Sequence, residues 1–84
     1  MAIPTTENGV VRPPAATYRI RVAGVLGEEW TDRTQGMAVS VRRSESGDAF
    51  TELVGELVDE AALMGVLDAL YTHGARLLSV DHIG

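Results

Sequence analysis

The chain has 84 residues, with twelve Asp and Glu against seven basic residues, a formal net charge of −5 and no cysteine. A chain of this length builds one small domain at most, burying roughly 63% of its unfolded surface, which leaves little margin for a core. This excludes a multi-domain enzyme, a doubly wound dinucleotide-binding sheet, a disulfide scaffold and cysteine-ligated zinc, and no apolar run approaches the roughly 18 residues that span a bilayer.

The basic residues are all arginine: Arg12, Arg19, Arg21, Arg33, Arg42, Arg43 and Arg76. An acidic balance repels nucleic-acid phosphates and anionic lipid surfaces, so neither is an expected partner. Met1–Thr6 carries neither a positive start nor an apolar block, so a cytoplasmic protein is expected. Pro4, Pro13, Pro14 and the Asn8–Gly9 pair break any regular pattern across 1–16. We expect a flexible tail there, with Val10 and Val11 as its apolar residues, and a single domain over 17–84.

Residues 17–26 alternate, with Tyr18, Ile20, Val22 and Leu26 on one face and Arg19, Arg21, Ala23 and Val25 on the other. That is the period of a strand buried on one side. Gly24 near its end suggests a bulge or a close backbone approach. Residues 27–36 are too polar for a core strand. They make a short helical turn or an irregular loop with Trp30 as the one large apolar group. Residues 37–43 alternate again, Met37, Val39 and Val41 inward. Ser44–Asp48 is a hairpin loop in which Gly47 can take a positive φ. Residues 50–58 return as a strand, with Leu53 and Leu57 on one face and Glu52, Val54 and Glu56 on the other.

From residue 59 the period becomes helical. Ala62, Leu63, Val66, Leu67 and Leu70 form one apolar stripe, Asp59 is a good N-cap and Gly74 a good stop. Gly65 in mid-helix costs up to about 1 kcal/mol relative to Ala, which close packing against a neighbour would explain. Residues 75–83 give a last strand, in which either Leu77 or Leu78 faces the core. The fold class is therefore α+β, with a four-stranded antiparallel sheet and one long helix on one face. The order, β-loop-β-β-α-β, resembles a ferredoxin-like fold whose first helix has shrunk to the Trp30 loop. That resemblance implies strand order 4-1-3-2.

A second resemblance rests on Arg19–Val22, Trp30, Asp59–Leu63, Gly65, Leu67, Leu70, Gly74 and Leu77–Val80. This pattern is similar to that of a set of small uncharacterised bacterial proteins, over about 65 residues. It implies a fold and carries no catalytic residues with it.

Chemistry-bearing sets are sparse. Ser79, Asp81 and His82 are the residue types of a hydrolase triad, but on a strand the histidine points away from the other two. Glu52 and Glu56 stand about 13–14 Å apart, too far for a glycosidase pair at about 5–9.5 Å. Cross-strand pairing with Arg19 and Arg21 fits them better. His73 and His82 match no compact metal spacing. No cofactor, metal or catalytic constellation is expected, and the chain reads as a non-enzyme.

One helix covers only one face of the sheet. The other face is expected to carry Arg19, Arg21, Ala23, Val25, Ser40, Arg42, Val54 and Val58, with the last strand adding either Leu77 and Ser79 or Leu78 and Val80, charged at one end and apolar at the other. Arg19, Arg21, Val25, Arg42, Val54 and Val58, with Trp30 read as a lid over the core or as a binding anchor, are the candidate interface or ligand residues. The expected function is a small assembly or protein-interaction module acting as a homodimer through this open face. The alternative is a small-molecule-binding or regulatory domain with a pocket at the dimer interface, lined by Arg19, Arg21 and Trp30.

Overall fold

The computed structural model describes residues 16–84. In chain order they form β1 (Ala16–Ala23), α1 (Trp30–Arg33), β2 (Ala38–Arg43), β3 (Ala49–Leu57), α2 (Glu60–His73) and β4 (Leu77–His82). The four strands make one antiparallel sheet in the order β2-β3-β1-β4, the expected arrangement read from the other edge. The expected tail lies outside the described residues except for Ala16, which opens β1 opposite Leu57.

The alternating residues sort as a pleated sheet requires. Ile20, Val22, Leu53 and Leu57 point to one face and are buried there with Met37, Leu26, Trp30 and the Ala62, Val66 and Leu70 stripe of α2. Leu63 and Leu67 are only half-buried beside that stripe. The ends of α2 are closed as its sequence demands. The Asp59 carboxylate accepts the Ala62 N–H at 2.8 Å, and Gly74 takes φ 91° while its N–H reaches the Leu70 and Tyr71 carbonyls. Both devices satisfy backbone groups that a helix end leaves free.

Residues 27–36 resolve as one short helical turn. Trp30 is buried at 2% exposure, and the Thr34 hydroxyl donates to its carbonyl at 2.7 Å. The indole meets the His73 ring edge-on, with centroids 4.9 Å apart, and the Arg33 guanidinium lies over it at 5.0 Å. Trp30 thus closes the core beside α2, where a longer first helix would otherwise lie.

Three expectations change. Gly24 adopts φ 85° with open space around it, so it turns the chain out of β1 without any close approach. Gly65 also faces open space, so packing does not explain it. The close approach belongs to Gly55, where a Cβ would lie 2.9 Å from the Met37 backbone. Val41 is exposed although it points to the core face, because β2 is the sheet edge and neither helix reaches over that position.

Candidate functional site

Both helices pack on one face, so the opposite face of the sheet is open among the described residues. The register fixes its composition. One row across the strands reads Ser40, Glu52, Arg21, Ser79. The next reads Ala38, Val54, Arg19, Asp81. Arg42 and Phe50 stand beside the first row.

Glu52 is the centre of this surface. Arg21 lies directly opposite on β1, and its Nε donates to Glu52 Oε2 at 2.9 Å. Arg42 lies diagonally on β2, and its Nε donates to Oε1 at 2.9 Å. The two guanidiniums cover the carboxylate, leaving its side chain 9% exposed while they remain partly in solvent. Burial pushes the Glu52 carboxyl up, but the two arginines outweigh it and hold the carboxyl below its ordinary value. The Arg21 guanidinium also lies 5.9 Å from the centre of the Phe50 ring. Arg19 bonds Asp81 on β4 at 3.4 Å and no glutamate on β3, because the register sets Glu56 opposite Thr17.

The expected site residues divide. Arg19, Arg21, Arg42 and Val54 share the open face. Val25 and Val58 do not belong to it as strand residues. Gly24 ends β1 and Val58 follows the end of β3, so both valines are exposed in connections. Trp30 is on the helix side, in the core, and cannot line a pocket with Arg19 and Arg21. The concave feature near Trp30 is an open groove along α2, lined by Arg33, Asp68, Ala69, Thr72 and His73. Sequence reasoning paired Glu52 with arginine but left it, Phe50 and Asp81 outside the candidate site, and gave Ser79 only as one of two alternatives for this face. The signal was present: Arg19 and Arg21 two apart on one strand and Glu52 between Thr51 and Leu53 on its neighbour.

Ser79 and Asp81 share the open face, whereas His82 lies opposite Tyr18 on the other side and meets its ring at a tilt, with centroids 5.3 Å apart. His73 is engaged with Trp30. Among the described residues no three His, Asp or Glu side chains converge as a metal site would require, and no helix is long and apolar enough to cross a membrane.

The family model described as a domain of unknown function (DUF8691) matches residues 17–81. No curated protein and no solved structure matches the chain.

Proposed function

Since the chain belongs to the DUF8691 family, which is defined by a shared domain and not by a reaction, we propose its function from its surfaces: a non-enzymatic assembly module that works as a homo-oligomer through the open sheet face. The observation that carries this reading is the Arg21–Glu52–Arg42 network on a face that neither helix covers. It holds long side chains flat and ordered before any partner arrives, which lowers the entropy cost of association. Arginine and aromatic groups such as Phe50 are favoured at protein interfaces. The face carries both signs of charge, with Glu56 and Asp81 beside the arginines, so a second copy is an electrostatically compatible partner.

The same network argues against catalysis. Its one carboxylate is held ionised by two cations, so it is a poor proton donor or acceptor near neutral pH. Val54→Glu places a charge at the Ala38–Val54 end of its row on this face. Measured by sedimentation with the fold checked by circular dichroism, it is expected to weaken self-association at least tenfold. Unchanged association with an intact fold would show that this face is not the interface.

A further inference from the structure

We propose that the outer edge of β4 is a second assembly surface, which pairs antiparallel with β4 of another copy and joins two sheets into one of eight strands. The proposal rests on the reading that the chain self-associates, but not on the open face as the means.

The two edges of the sheet are unlike. β2 ends in Arg42 and Arg43, charges of the kind that discourage edge pairing. β4 has no arginine; its one carboxylate, Asp81, lies on the open face and is paired with Arg19, and the register shift beside Leu78 affects only the start of the strand. Its residues are Leu77, Leu78, Ser79, Val80, Asp81 and His82. Leu78 is 51% exposed and Val80 38% exposed, and Leu77 and Ile83 are exposed beside them. The apolar strip continues onto α2. Trp30 and the groove by Arg33 mark the side of α2 that faces α1 and β2. On a helical wheel Leu63 and Leu67 fall on the other side of the buried stripe, toward β4, and are half-buried, while Met64 and Tyr71 point away from the sheet and are exposed. The shrunken first helix leaves α2 nearest β3, so the β4 side of the core face stays partly open.

The occupant follows from the backbone. The Ile83 N–H donates inward to the Thr17 carbonyl. By strand alternation Val80 and His82 then turn their N–H and C=O groups outward, and these are complementary to another strand. A two-fold contact needs a self-complementary register. An axis through Asp81 would set Asp81 against Asp81, and one through Ser79 would set Leu77 against Asp81. With the axis through Val80, the two Val80 residues face each other and Ser79 faces Asp81, within the stretch of β4 that pairs regularly with β1. That register sets no like charges against each other, since Ser79 is neutral.

The test is amide hydrogen exchange on the full chain at high and low protein concentration, with Val80→Lys and Val54→Glu in parallel. The expected result is that the Val80 and His82 amides exchange at least tenfold more slowly in the associated state. Val80→Lys should remove that protection and Val54→Glu should leave it. Fast exchange at those amides in an oligomer that only Val54→Glu disrupts overturns the edge contact and leaves the open-face reading standing. Protected β4 amides in a species that stays monomeric also overturn it, and assign the edge to another segment of the chain.

Discussion

Glu52 is the residue on which the open face depends. Its folded-state pKa lies below the ordinary carboxylate range. A lowered acid contributes stability that is fully present above that range and is lost as pH falls through the lowered value. Glu52→Gln is therefore expected to flatten the acid limb of a stability-against-pH curve. An unchanged acid limb would mean the arginines do not hold the charge. Because both guanidiniums remain partly solvated, the cost of Glu52→Ala near neutral pH is about 1–2 kcal/mol, below that of a fully buried pair. Thr51, like Thr34, is a polar residue buried in the core. It donates to the Gly24 carbonyl at 2.8 Å and accepts from the Leu26 N–H at 2.9 Å, anchoring the loop after β1. Thr51→Val keeps its shape, removes both bonds and is expected to cost about 1–3 kcal/mol in chemical denaturation. The two glycines should respond with opposite signs. Gly65→Ala, in open space on a helix, should stabilise by about 0.5–1 kcal/mol. Gly55→Ala, against the Met37 backbone, should destabilise by about 1–3 kcal/mol.

At the scale of elements, α2 and the β2–β3 hairpin were legible because their signals are local. Asp59, Gly74 and the Ala62–Leu70 stripe announce the helix by capping chemistry and period. Ser44–Asp48 announces the hairpin, where Gly47 takes φ 90° and the Arg43 guanidinium donates to its carbonyl at 2.9 Å. The ends of β1 and β3 were less legible. Alternation carried Val25 and Val58 onto the sheet, but a positive φ at Gly24 and the approach to the Asp59 cap break the pleat first. Alternation also cannot report coverage. Val41 and Val80 point to the core face yet stay exposed, because that depends on where α2 settles, a tertiary fact. The candidate site was half legible for the same reason. Arg19, Arg21, Arg42 and Val54 follow from period alone, whereas the links of Glu52 to two arginines and of Arg19 to Asp81 needed the register. The α1 turn rests on Trp30, whose truncation to alanine is expected to cost about 3–5 kcal/mol, a large share of what a domain this small can hold. Acrylamide quenching of the wild-type indole should be weak. Quenching as fast as free tryptophan would contradict a buried Trp30.

For the molecule as a whole, marginal size becomes a matter of place. The core under α2 and Trp30 is closed, while the open face and the β4 edge keep unpaired surface. Burying either against a second copy links folding to association, so the unfolding midpoint should rise with protein concentration. The negative net charge conceals a face where Arg21 and Arg42 gather around one carboxylate and Arg19 pairs with another. Sedimentation equilibrium of the full chain, from a few to a hundred micromolar, tests the account most directly. Self-association predicts a mass of at least twice 9.0 kDa at the upper end, falling on dilution. A mass of 9.0 kDa at every concentration would contradict it.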